Sequence, residues 1–144
     1  MRYWWNNGQL QLYGTTDIRD NQWHHLAYVR DKTSGNFILY LDGNIEQTHP
    51  NIGSDVTLTS VHRLGCDNRG SSTPYFHGEI DEVRIWNYAR SASELASTMN
   101  MPLVGNESGL LVYYDFNNGV ASGDNSSPPV ATLTDLTGNG YDAG

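Results

Sequence analysis

Short apolar runs separated by turn-forming residues recur along the whole chain. The first, at residues 9–13, alternates polar and apolar side chains, which is typical of a strand with one buried face. Further runs occur at residues 23–30, 37–41, 56–59, 61–65, 79–86 and 109–116. Glycine accounts for 15 of 144 residues and charged residues for only 17%, a composition that favours turns over long helices. The spacing predicts an all-β fold, an antiparallel β-sandwich of the jelly-roll type with seven or eight short strands.

The clearest hairpin joins Trp23–Arg30 to Phe37–Leu41 through a polar loop. Because side chains alternate along a strand, we expect the odd-numbered residues of the second strand on one face and Ile38 and Tyr40 on the other. Asp42-Gly43 then forms a turn, since glycine adopts positive φ at no steric cost.

One short helix is predicted near residues 91–97. Ser91 can accept a hydrogen bond from the third helical residue while Glu94 reaches back to the Ser91 backbone, which is a capping box.

The charge balance excludes several classes of function. Sixteen acidic against eight basic residues give a net charge of −8, so binding to the phosphate backbone of nucleic acid is not expected. No apolar run approaches the roughly 20 residues that a membrane span needs, and we expect no membrane insertion. The first residues lack the apolar region of a signal peptide. The single cysteine, Cys66, excludes an intrachain disulfide and is expected to be a small buried hydrophobe.

Two groups of residues resemble the laminin-G-like jelly-roll family of the concanavalin-A-like lectin/glucanase fold. The first group is Trp23-His24-His25-Leu26-Ala27-Tyr28-Val29-Arg30-Asp31, followed by Leu39-Tyr40-Leu41-Asp42-Gly43. The second is Leu64-Gly65, then the run from Tyr75 to Ser91 that contains Gly78-Glu79-Ile80-Asp81-Glu82-Val83-Arg84-Ile85-Trp86, then Glu94-Leu95. The order and spacing of the two groups make the resemblance specific.

The resemblance implies that the chain holds parts of two domains. Residues 1–100 resemble the C-terminal portion of such a domain, 101–108 a connector, and 109–144 the opening strand and turn of a following domain. In this fold the first and last strands lie side by side. We therefore expect residues 110–116 to pair with 80–86 and to complete the sheet of the first domain.

The family's glucanases carry a strand motif with three carboxylates, and this chain departs from it. Glu79 and Asp81 match the first two positions, but the third is Val83, or Arg84 in the longer form of the motif. Retaining hydrolysis needs two carboxyl groups about 5 Å apart. We therefore predict no enzyme activity, with Val83 and Ile85 facing the core.

Two groups of residues are candidates for ligand binding. Tyr3, Trp4 and Trp5 can form an aromatic platform for sugar stacking, although core packing or a strand edge explains them as well. Asp67 and Asn68 belong to the loop Asp67-Asn68-Arg69-Gly70, which lies where the related pentraxins place calcium-binding acids. Only Asp67 fits that pattern well, because Arg69 stands where an acid would help.

The segment Asp135-x-Thr137-x-Asn139-Gly140 alternates oxygen-bearing side chains ahead of a glycine, like the first half of a calcium loop. An EF-hand is excluded because flanking helices are missing. The resemblance implies that this opening turn holds a structural Ca²⁺, with Asp135, Asn139 and Asp81 as its ligands. The same turn also forms without metal, and that alternative stays open.

The resulting hypothesis is a non-catalytic module of a larger secreted or cell-surface protein. It would bind a glycan or an extracellular protein through loops on a rigid β-scaffold, next to other domains of the parent chain. The alternatives are a structural spacer in a tandem array and a fragment of a glycoside hydrolase of the same fold.

Overall fold

The structure is a computed structural model that describes residues 2–5, 10–50, 64–66, 75–120, 123–124, 126 and 129–144. Within these residues there are seven strands and one helix, and the predicted all-β class is confirmed. The strands are β1 Arg2–Trp5, β2 Leu10–Tyr13, β3 Leu26–Asp31, β4 Asn36–Leu41, β5 Asn44–Pro50, β6 Val83–Trp86 and β7 Leu110–Tyr114, and the helix is α1 Ala92–Thr98. The predicted strands at 56–59 and 61–63 lie outside the described residues.

The chain divides into two compact units, residues 1–54 with 86–103 and residues 55–85 with 104–144. In the first unit β1 pairs with β2, and β3, β4 and β5 form an antiparallel sheet in that order. A separate two-stranded sheet joins β6 to β7. Strands β6 and β7 therefore pair, as predicted for residues 80–86 and 110–116, but the strands themselves span only 83–86 and 110–114. The expectation that they complete the sheet of the first domain stays a prediction.

The hairpin of β3 and β4 is also confirmed, with its register running from Leu26 opposite Leu41 to Asp31 opposite Asn36. The strand begins at Leu26 and not at Trp23 as expected. Trp23 is 65% exposed in the preceding segment. At His25 the chain is tied to Asp42, whose N–H donates to the His25 carbonyl at 2.9 Å and whose carboxylate accepts from the His25 N–H at 2.8 Å.

Strand β5 was not predicted, because its only aliphatic residue, Ile45, stands among polar ones. The Ile45 side chain is 59% exposed. The two-residue turn before β5 was the available signal. Asp42 has a φ of 49° and Gly43 a φ of 77°, and positive φ at both positions is what a type I′ hairpin requires.

A β-bulge in β5 leaves one residue unpaired with β4, and its side chain binds the segment after β2. Leu39 pairs with Gln47 and Tyr40 with Ile45, so Glu46 is the extra residue. Its carboxylate accepts hydrogen bonds from the backbone and hydroxyl of Thr15, at 2.9 and 3.0 Å, and from the Thr16 hydroxyl. These donors, Thr16 first, lower the pKa of Glu46 to about 2.

Strand β4 is central in its sheet and is buried on both faces. Phe37, Leu39, Tyr40 and Leu41 are each at most 7% exposed. On the face that carries Tyr40, the ring packs with Val29 and with Leu95 of α1. The side chains of β4 therefore alternate between the two faces as predicted, and both faces of the strand are buried.

The helix is held over this face by its N-terminal cap. The Ser91 hydroxyl accepts from the Glu94 backbone and the Glu94 carboxylate accepts from the Ser91 backbone, so the predicted capping box is confirmed. Arg90, 8% exposed, stacks 4.0 Å from the Trp86 ring centroid and donates to the Glu94 carbonyl at 2.8 Å. The cap and the arginine together fix the direction in which Leu95 enters the core.

We expect Leu95→Ala to lower the free energy of unfolding by about 3 kcal/mol, because it removes a buried side chain and leaves a cavity beside Tyr40. Urea unfolding followed by circular dichroism measures the loss. Leu64→Ala, at a side chain that is 49% exposed, is the matched control and is expected to cost less than about 1 kcal/mol. Equal losses in the two variants would contradict this description of the core.

Candidate ligand-binding site

An exposed aromatic pair, Tyr75 and Phe76, lies beside Gly65 and Cys66 in the second unit. Cys66 and Tyr75 form an antiparallel bridge, and the Phe76 backbone N–H donates to the Gly65 carbonyl at 2.7 Å. These contacts bring together the two ends of the segment 67–74. Asp67 and Asn68 belong to that segment and lie outside the described residues, so their assignment as ligand-binding residues stays a prediction. Cys66 is a free thiol and is half-buried rather than buried as expected.

The Tyr75 side chain is 68% exposed and the Phe76 side chain 55%. Neither residue is among the predicted ligand-binding residues. The available signal was a pair of aromatics directly after a loop rich in Gly, Ser and Asn, because binding residues concentrate on loops that a scaffold positions.

The segment that resembles the glucanase motif is not a continuous strand. Strand β6 begins at Val83, and Glu79 and Asp81 lie in the irregular segment before it. Glu82 interrupts the extended conformation with a φ of 54°, which is uncommon for a residue with a side chain. The predicted strand over 79–86 is therefore wrong for its first four residues, and alternation cannot place Glu79 and Asp81 on one strand face.

The orientation expected for β6 is also wrong. Ile85, predicted to face the core, is 50% exposed, whereas the Arg84 side chain is only 7% exposed. The buried guanidinium pairs with the Glu82 carboxylate and lies 5.6 Å from the centroid of the Tyr113 ring. A charge is tolerated at this depth because a carboxylate and an aromatic face accompany it.

Glu82 also anchors strand β7. The Tyr113 hydroxyl lies 2.9 Å from each carboxylate oxygen of Glu82, and Tyr113 is 1% exposed. The carboxylate therefore accepts hydrogen bonds that join the segment before β6 to the middle of β7. This is a structural use of the acidic segment.

Asp135 holds the turn at 135–140 against the same strand. The carboxylate is buried, with the residue 5% exposed, and Oδ1 accepts from the backbone N–H groups of Tyr113 and Thr137, each at 3.1 Å. The Thr137 hydroxyl donates to the same carboxylate at 2.8 Å, and the Tyr141 N–H donates to Oδ2 at 3.3 Å. Burial raises the pKa of Asp135, but the hydrogen bonds led by Thr137 outweigh it and the pKa lies below its usual value.

The residues predicted to hold Ca²⁺ already make hydrogen bonds within the chain. Both oxygens of Asp135 face N–H and O–H donors, and the Asn139 amide donates to the Leu111 carbonyl at 3.0 Å. Asp81 is exposed and accepts from the Glu82 backbone at 2.8 Å. Across the described ranges, no group of three or more His, Cys, Asp or Glu side chains is arranged to hold a metal ion. A calcium ion at Asp135 would have to compete with these donors, and the assignment of Asp135, Asn139 and Asp81 as calcium ligands stays a prediction.

We expect Asp135→Ala to lower the free energy of unfolding by about 3 kcal/mol, because the buried Tyr113 N–H loses its acceptor. We also expect the melting temperature of the unaltered chain to differ by less than about 1 °C between EDTA and millimolar calcium. Differential scanning calorimetry measures both quantities.

Asp17→Ala, which removes an exposed carboxylate, is the control and is expected to change little. A bound ion at 100 times its Kd would add about 2.7 kcal/mol. A rise of several degrees with calcium that disappears in Asp135→Ala would therefore show that Asp135 binds the ion.

The three aromatic candidates Tyr3, Trp4 and Trp5 lie in β1 and pair with β2, opposite Leu12, Gln11 and Leu10 respectively. They are thus part of a two-stranded antiparallel hairpin in the first unit. Their assignment as a sugar-stacking platform stays a prediction.

His24 forms a cluster with two carboxylates that the sequence analysis did not select. Its Nδ1 lies 2.8 Å from Asp42 Oδ2 and its Nε2 lies 3.2 Å from Asp20 Oδ1. The hydrogen bond to Asp42, with a smaller effect from Asp20, raises the pKa of His24 above its ordinary value of 6.5. The cluster ties the segment before β3 to the β4–β5 turn.

We expect the stability of the chain to fall as the pH rises from about 6 to 8.5. The raised pKa of His24 means that the folded chain holds the imidazole proton more tightly than the unfolded chain does. The resulting stabilisation is complete below pH 6.5 and is lost as the pH rises through the raised pKa. Urea midpoints measured across this range are expected to flatten in His24→Gln. His77→Gln, at an exposed histidine, is expected to keep the slope, and an unchanged slope in His24→Gln would refute the assignment.

Residues 1–96, two thirds of the chain, match the family described as the concanavalin A-like lectin/glucanases superfamily (Laminin_G_3). The chain belongs to this laminin-G-like family. This laminin-G-like chain is similar to a rat protein named "Sushi, von Willebrand factor type A, EGF and pentraxin domain-containing protein 1", with 25% identity over 122 residues. That match covers 79% of the chain and 3% of the rat protein.

Neuronal pentraxin-2 of Cavia porcellus is 25% identical over 131 residues, which cover 86% of the laminin-G-like chain and 29% of that protein. Among solved structures, a "putative carbohydrate binding protein" from Bacteroides ovatus ATCC 8483 superposes with a TM-score of 0.73 at 22% identity. The superposed region covers 92% of this chain and 37% of the Bacteroides chain, and it supports the assigned fold. The laminin-G-like chain thus spans less than a third of the length of either curated relative. In the part of the chain that the structure describes, no helix is long and apolar enough to cross a bilayer.

Proposed function

We propose that this laminin-G-like chain is a non-catalytic module that binds a carbohydrate or a protein ligand within a larger secreted or cell-surface protein. The observation that carries the proposal is the conformation of residues 79–82. This segment is irregular, and the carboxylate of Glu82 is engaged by Tyr113 and Arg84. The pair of same-face carboxylates on which a retaining glucanase depends has no counterpart there.

The relatives support a binding role for the whole protein. One solved neighbour carries the words carbohydrate binding in its name, and two curated relatives carry the word pentraxin. These names belong to proteins of which the chain spans only a part, so the ligand and the extracellular setting are proposals for this chain. An antiparallel β-scaffold that exposes aromatic side chains suits such a role.

The proposal predicts binding without hydrolysis. We expect the purified chain to release no reducing sugar from a β-glucan, and to be retained on glycan or extracellular-protein arrays. Reducing-end assays and array binding measure the two properties. Hydrolysis that Glu79→Gln abolishes would overturn the proposal in favour of a glycoside hydrolase fragment.

Glu46→Gln is the matched control for hydrolysis, because this carboxylate is bound to Thr15 and Thr16 in the other unit. The spacer alternative makes a different prediction, namely no retention on either array. An array that retains nothing would therefore favour the spacer over the binding module.

A further inference from the structure

The Phe76 ring packs on the backbone of Gly78. A Cβ atom added to Gly78 would lie 2.8 Å from both Cε1 and Cζ of Phe76, which is closer than side chains normally approach. The ring therefore occupies the space that a side chain at position 78 would need. Because Phe76 is still 55% exposed, a large part of the ring remains open to solvent.

The backbone under the ring is fixed by long-range contacts. The Phe76 N–H donates to the Gly65 carbonyl at 2.7 Å, and Tyr75 forms an antiparallel bridge with Cys66. A ring held in this way loses little conformational freedom when it binds a ligand, so the entropic cost of binding is small.

Polar side chains on either side of Gly78 are available to a ligand. His77 and Glu79 are both exposed, and within the described part of the chain neither side chain makes a hydrogen bond. An imidazole can donate and accept hydrogen bonds, and an ionised carboxylate accepts them. An apolar surface with a few polar groups beside it is the usual composition of a small-molecule site.

We propose that Phe76, seated on Gly78, is a stacking site for one neutral sugar ring of a glycan. The C–H face of a pyranose covers the exposed ring, while its hydroxyl groups bond to His77 and Glu79. This inference rests on the proposed binding function and assigns it one ligand class and one site.

The charge of the surroundings argues for a neutral sugar. Glu79 and Asp81 are both exposed within five residues of Phe76, and the chain carries a net charge of −8. Sulfated or carboxylated glycans would be repelled, whereas the hydroxyl groups of a neutral sugar can donate to a carboxylate.

Affinity electrophoresis in gels that contain a neutral β-glucan, a neutral galactomannan, alginate or heparin tests the site. We expect the chain to be retarded by at least one neutral polysaccharide and by neither acidic one. Phe76→Ala is expected to weaken that binding at least tenfold. Gly78→Ala, which displaces the ring without removing it, is expected to weaken it as well.

Tyr141→Ala is the matched control, because Tyr141 is an aromatic of equal exposure, 56%, in the same compact unit. It is expected to bind like the unaltered chain, and thermal melts of all variants report whether they are folded. Phe76→Leu provides a second variant that keeps an apolar side chain but loses the flat ring.

The possible failures are distinguishable. If the chain binds a neutral polysaccharide and folded Phe76→Ala binds it equally, the site is wrong and the proposed function stands. Retardation by alginate or heparin alone would refute the neutral ligand. If no polysaccharide retards the chain, the sugar site is refuted, and the proposed function then depends on retention by the protein array.

Discussion

Tyr113 is the residue on which the second compact unit depends. Its N–H donates to Asp135 at 3.1 Å, its carbonyl accepts from Leu136 at 2.9 Å, and its hydroxyl donates to Glu82 at 2.9 Å. Three segments that lie far apart in the sequence thus meet at one residue that is 1% exposed. Each of these hydrogen bonds contributes a net of only about 1 kcal/mol, and somewhat more where a carboxylate accepts. Because the site is buried, removing one hydrogen-bonding partner leaves the other without water to replace it. The resulting loss of folding free energy exceeds the net contribution of the bond.

The same arrangement explains why the acidic residues of this unit serve structure. Glu82 and Asp135 both use their carboxylates to fix β7, which lies outside the residues that match the family. A carboxylate whose lone pairs face N–H and O–H donors has little capacity left for a metal ion or for acid–base catalysis. The exposed groups near Phe76 have that capacity, and for this reason the proposed ligand site lies there.

The first unit is stabilised in a different way. Strand β4 is buried on both faces, and Leu95 of α1 closes one of them against Val29 and Tyr40. Polar contacts around this sheet connect segments at its periphery. Glu46 holds the residues after β2, and His24 joins the segment before β3 to the β4–β5 turn. The hydrophobic contacts provide most of the stability. The exposed carboxylates contribute less and hold the connecting segments in one conformation between the strands.

The sequence by itself determined the elements whose signals are local. The hairpin of β3 and β4 follows from alternation, and the Asp42-Gly43 turn from glycine's freedom at positive φ. The Ser91–Glu94 capping box follows from a spacing of three positions. The pairing of β6 with β7 was also predictable, through the resemblance to a known family. Only the tertiary structure decided β5, the left-handed conformation of Glu82 and the partners of Asp135. These features depend on contacts between residues 22 to 34 positions apart, such as Gln47 with Tyr13, Glu82 with Tyr113 and Asp135 with Tyr113. A local pattern cannot report which distant group satisfies a carboxylate, because burial and hydrogen bonding are set only when the segments meet.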